Sequence, residues 1–154
     1  MKRRDKTLTQ KRLLRRIGRS MKRYNKLNFL ECYAMFMGKA QLVEFALKKI
    51  LLKRYRYGEK KRDKMTLGGA IAELERLGMR KDFVWQLRQL NKCRIKMAHG
   101  FLADHLHLVA LDRRFAHLSR RPLQEALFRV EETIHVFDFL NQNRMLYQRQ
   151  RKAY

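Results

Sequence analysis

Long stretches of this chain repeat apolar residues at three- and four-residue spacing, and almost nothing interrupts them. Phe29, Tyr33, Phe36, Met37, Ala40, Val43, Leu47, Ile50 and Leu51 form one stripe. Leu67, Ile71, Leu74 and Leu77 form a second, and Phe83, Val84, Leu87, Leu90 and Ile95 a third. Leu127, Val130, Ile134, Phe137 and Phe139 follow near the end. Only a helix gathers such positions onto one face. A single proline, Pro122, and seven glycines in 154 residues leave few places for the turns that a many-stranded sheet needs. The expected fold is all-α, an antiparallel bundle of four to five helices, with at most a short strand pair between 101 and 121.

The boundaries follow from local chemistry. One helix is expected over 28–57, ending in Lys53, Arg54 and Arg56, whose charge suits a helix C-terminus. Gly58 to Lys64 is a charged connector, read equally as a solvated loop or as an RNA contact. Thr66 is a natural N-cap, and Gly78 a natural stop. The third helix runs from about Lys81 to Ala98, with Gly100 closing it. His105 to Leu111 alternates weakly and reads as a short strand or an irregular crossover. Pro122 suits the first turn of the last helix.

Charge narrows the function. Thirty-eight Lys and Arg face fourteen Asp and Glu, a net +24. Such a surface seeks a polyanion, whether RNA, DNA, anionic lipid or an acidic protein. The charge is concentrated at 1–26, a basic N-terminal arm with twelve Lys or Arg and only Asp5 against them. Thr9 caps a short amphipathic helix there through Leu13, Leu14 and Ile17. Its thin apolar stripe favours a polyanion over a bilayer. A helical domain at 27–143 and a basic tail at 144–154 complete the division. No apolar run approaches the ~18 residues of a membrane span, and no secretory leader is evident, so the expected setting is cytoplasmic. Cys32 and Cys93 lack any paired ligand spacing and read as reduced thiols.

The chemistry concentrates in Leu87 to Phe101, LRQLNKCRIKMAHGF. Arg94, four residues, then His99 closes a core helix. A second pair, Arg129 and His135, has similar spacing but sits mid-helix among Phe128, Val130 and Ile134. The first has a distinct context, with Leu90-Asn91 before it, the small Ala98, and Gly100-Phe101 after it. A five-residue step turns a helix by about 500°, so the two side chains diverge by about 140°. Gly100 permits a left-handed residue that opens the helix end. A histidine there changes protonation near neutral pH, and an arginine offers a planar cationic fork for phosphate. Together they suit proton transfer and charge stabilisation at a scissile phosphate.

This segment, with TLGGAIAELERLG at 66–78, resembles the HEPN family, whose signature is an arginine, four to six residues, then a histidine. The resemblance covers about 28–142. It implies a metal-independent, cofactor-free endoribonuclease with Arg94 and His99 as its catalytic pair, cutting RNA through the 2′-hydroxyl. It implies use as a toxin or defence effector, neutralised by an acidic antitoxin or inhibitor. HEPN nucleases place two motifs face to face, so one motif per chain implies a homodimer or a second HEPN-bearing partner. Two positions depart from the family. Ile95 stands where a polar residue often follows the arginine, and Phe101 stands where one subgroup has a tyrosine. The alternative on the same fold is a non-catalytic RNA-binding or ribosome-associated protein.

Candidate RNA contacts are Lys92 and Lys96 beside the motif, Arg113, Arg114, Arg120 and Arg121 around His117, Lys60, Lys61 and Arg62 in the connector, and Arg15 and Arg16 in the arm. Tyr24, Tyr55 and Tyr57 could stack on bases, whereas Trp85 reads more readily as core. His105 and His107 would share a face only on a strand, and no third ligand is suitably spaced, so no metal site is expected.

Overall fold

A computed structural model describes residues 7–147. The parts of the basic arm at 1–6 and of the basic tail at 148–154 lie outside the described residues. The protein is an all-α bundle. Its helices are α1 (Gln10–Tyr24), α2 (Phe29–Tyr55), α3 (Glu59–Asp63), α4 (Leu67–Arg76), α5 (Lys81–Lys96), α6 (Leu102–Leu111) and α7 (His117–Gln142). A π-turn, Met97–Phe101, joins α5 to α6, and a 3-10 turn, Arg113–Ala116, joins α6 to α7. The only β feature among the described residues is an isolated antiparallel bridge between Met79 and Tyr147.

The caps explain the boundaries. Thr9 accepts a hydrogen bond from the Arg12 amide and starts α1. Asn28 and Glu31 bond each other's backbone amides in a reciprocal capping box that starts α2. Thr66 accepts from the Gly69 amide at α4. Gly78, at φ +89, stops that helix, and the Met79 amide bonds back to the Leu74 carbonyl.

The core is drawn from the predicted stripes, except that Ile95, expected inside, is 47% exposed on α5. Phe36, Val43, Leu47 and Leu51 of α2 meet Leu67, Ile71 and Leu74 of α4, Phe83, Leu87 and Leu90 of α5, and Leu127 and Val130 of α7. α7 is the central strut, packing on α1, α2 and α5.

Several local expectations are corrected. Residues 102–111 form a helix, because the inward positions are Leu102, His105, Leu108 and Val109 at helical spacing, while Leu106 and Leu111 face outward. α7 begins at His117, so Pro122 lies in its second turn and forfeits one amide bond. The connector holds the short helix α3. Trp85 is 61% exposed, on the outer face of α5. The stretch at 10–24, read as part of an arm, is a packed helix that buries Ile17, Ser20 and Tyr24. At the other end, Leu146 is buried and its carbonyl accepts from the Arg80 amide, so 144–147 also belongs to the folded body.

Candidate nucleic-acid interface

The motif segment begins as ordinary helix and then leaves it. α5 ends at Lys96, and the chain kinks at His99 (φ −109, ψ 94) and Gly100 (φ +86). A side chain at Gly100 would be strained by that φ, so glycine is what the kink needs. Tyr33 of α2 donates its hydroxyl to the Met97 carbonyl at 2.9 Å, tying α2 to the start of the kink. Phe101 is buried and stacks near Phe29 and Tyr33, with centroids 5.9 and 6.3 Å away. Its lack of a hydroxyl suits that apolar place. Phe29 also stacks at 3.5 Å on His105, whose imidazole is held below its ordinary value by desolvation. The kink therefore rests on an aromatic floor, and His99 is exposed above it with no hydrogen-bond or ion-pair partner among the described residues.

Arg94 sits on the last turn of α5 and faces α2. Its Nη2 stands 3.3 Å from Glu44 Oε2, with the two side chains 28% and 15% exposed. The contact is poorly aligned, and neither Arg94 Nε nor Glu44 Oε2 makes a hydrogen bond, although both atoms are buried. Glu44 therefore holds Arg94 by charge, in a geometry that leaves those two buried atoms unbonded, which carries a cost. Both line a groove of about 500 Å³ between α2, α3 and α5. Its walls carry five cations, Lys48, Lys49, Lys53, Arg62 and Arg94, against two carboxylates, Glu44 and Asp63. Glu44 also pairs with Lys48 at 2.7 Å, and Asp63 with Arg62 at 2.7 Å. Phe45, 62% exposed, stands among these charges.

The structure thus gathers Arg94 and Arg62 into one groove but does not set His99 in its walls. The helical rotation between the two positions, followed by the kink, accounts for their different directions. Lys92 and Lys96 are exposed on α5, and Lys60 and Lys61 are exposed on α3, with Lys61 Nζ 4.6 Å over the Tyr57 ring. Arg15 and Arg16 are exposed on α1. Arg113, Arg114, Arg120 and Arg121 are exposed around the start of α7, outside the groove. Two of these are engaged locally, Arg114 with Asp112 and Arg121 with Glu125. Arg120 lines a separate cleft of about 320 Å³ with Asn25, Asn28 and Cys32.

Glu44, Phe45, Lys48 and Lys49 line the groove and are not among the candidates drawn from the sequence. Their signal is an exposed phenylalanine beside lysines on the outward face of α2. His105 is buried and His107 exposed on one helix, so they do not share a face. Among the described residues, no three His, Cys, Asp or Glu side chains stand together as a metal-ligand set, and no helix is long and apolar enough to cross a membrane. Compared with protein-family models, with curated proteins and with solved structures, the chain finds no match in any of the three.

Proposed function

We propose that this protein is a metal-independent endoribonuclease of the HEPN type, with Arg94 and His99 as its catalytic pair. The observation that supports the reading is an exposed histidine on a glycine-permitted kink, five residues after an arginine that lines a cationic groove, with His99 itself outside the groove's walls. RNA supplies the nucleophile. Its 2′-oxygen attacks the adjacent phosphorus, the bond to the 5′-oxygen breaks, and a cyclic phosphate and a 5′-hydroxyl result. His99 moves one proton, taking it from the 2′-hydroxyl or giving it to the leaving oxygen, and Arg94 offsets charge on the phosphate. A second copy of the motif, in a homodimer or a partner, completes the proton inventory. As a toxin or defence effector acting on cytoplasmic RNA, such an enzyme pairs naturally with an acidic inhibitor protein.

The second reading is RNA binding without cleavage. Glu44 beside Arg94 and the half-exposed, apolar Ile95 favour it, because they occupy the arginine and withhold a polar neighbour. One assay separates the two. Purified protein is incubated with labelled RNA in excess chelator, and cleavage that disappears in His99→Ala supports the nuclease. Binding without cleavage in the parent supports the binder.

A further inference from the structure

We infer that the groove between α2, α3 and α5 takes an unpaired stretch of RNA, with Phe45 as the platform on which one base stacks. The inference rests on the RNA reading of the groove and is independent of cleavage. Phe45, Lys48, Lys49, Leu52 and Lys53 fall at helical spacing on one face of α2, over about 12 Å of axis. Across from them stand Arg62 of α3 and Arg94 of α5. Lys48 and Arg62 are matched by Glu44 and Asp63. Arg94 shares Glu44 with Lys48, whereas Lys49 and Lys53 have no ion pair among the described residues. The groove therefore combines uncommitted positive charge with an uncovered aromatic ring.

That combination selects a nucleic acid whose bases are open. Phosphates follow the cations, and a flat apolar ring is satisfied by the face of a base. In a duplex the base faces are stacked away, and reaching one costs unpairing. A volume of about 500 Å³ is the scale of a small-ligand pocket and has no room for a double helix. Stacking of this kind tolerates any base, so strand state is selected over sequence.

The test uses full-length protein and a fluorescent 2′-O-methyl oligouridine, which cannot be cut because its 2′-oxygen carries no proton to lose. Anisotropy is read for this strand and for its duplex with the complementary 2′-O-methyl oligoadenosine. The parent should prefer the single strand. Phe45→Ala should weaken single-strand binding by roughly 5- to 150-fold, the range for one lost base stack. Duplex binding and the salt slope should not move, and Phe45→Tyr should restore affinity. Lys49→Gln with Lys53→Gln should instead flatten the salt slope by about 1.4 and keep the strand preference. Equal parent affinity for both forms overturns the proposal, as does unchanged single-strand binding in Phe45→Ala. A change of oligomeric state in Phe45→Ala, read by sedimentation, also overturns it and assigns the ring to a contact between copies. If the stacking result holds while His99→Ala cleaves like the parent, only the nuclease reading fails.

Discussion

At the residue scale, rate and affinity should separate. His99 is a single side chain on a surface rich in Lys and Arg, so His99→Ala should leave RNA binding nearly intact. If His99 has the proposed role, its proton transfer is worth about 100- to 10,000-fold in rate, and turnover with single-stranded RNA should fall by that much. Arg94→Ala should also lower turnover, through the charge it aims at phosphate. Equal cleavage by His99→Ala and the parent would overturn the assignment. Tyr33 belongs to this scale as a positioning residue. Tyr33→Phe removes the bond to the Met97 carbonyl, which should cost about 1 kcal/mol of stability in a denaturant titration. It should lower the turnover number while leaving KM unchanged, because the ring still supports Phe101.

At the element scale, α1 is tied to the bundle by charge as well as by apolar contact. Tyr24 and Lys39 both bond the Glu131 carboxylate, which is 2% exposed, and His135 Nε2 lies 3.1 Å from Ser20 Oγ. Burial pushes the Glu131 carboxyl up. Hydrogen bonds from Lys39, Tyr24 and Ser20 and the charge of Lys39 pull it further down, so it stays ionised below the usual carboxylate range. His135 is held below its ordinary value, first by desolvation and then by the charges of Arg16 and Lys39, against the opposing pull of Glu131 and Asp138. Both folded-state values are depressed, so both groups stabilise the fold at higher pH and lose that contribution as pH falls. Melting temperature should therefore drop first below about 6.5, where the unfolded chain takes up protons that folded His135 and His105 resist, and again below about 4.5, where the unfolded carboxyl protonates while folded Glu131 is still ionised. His135→Gln should shrink the first step in a thermal melt followed across pH. Glu131→Gln leaves Lys39 without its partner. Because Lys39 keeps 22% of its side-chain exposure, the cost should be about 2 kcal/mol, under the ~3–5 expected for a fully buried pair.

At the scale of the whole molecule, the proposed RNA binding should be governed by the net charge of +24. Single-strand affinity should fall with log salt at a slope of roughly −4 if about six cations meet phosphates. A nearly flat dependence would point away from nucleic acid. Deleting residues 1–26 is a poor test of the basic N-terminus, because it would also remove Ile17, Ser20 and Tyr24 from the packing and uncover Glu131. Lys11, Arg15, Arg19 and Lys22 are all exposed on α1, so replacing these four with glutamine keeps the core. If all four meet phosphates, that variant should flatten the slope by about 3 and spare turnover at saturating RNA.

Periodicity and caps lie within a few residues of each other along the chain, so the sequence by itself determined α1, α2, α4 and α5, the stop at Gly78 and the break at Gly100, but not α3, α6, the start of α7 or the exposure of Trp85 and Ile95. Net charge is a sum, so it too was legible without coordinates. The groove was not. Glu44, Phe45 and Lys48 come from α2, Arg62 from its neighbour α3 and Arg94 from α5, and only packing decides which outward faces lie opposite each other. The same holds for Glu131 and His135, polar residues on a helix whose partners in α1 lie more than a hundred positions away. Weak alternation at 105–111 misled because the buried position is a histidine, which an apolar count passes over. Burial of a polar group is settled by what it packs against, here Phe29 at 3.5 Å, and that contact exists only once the chain has folded.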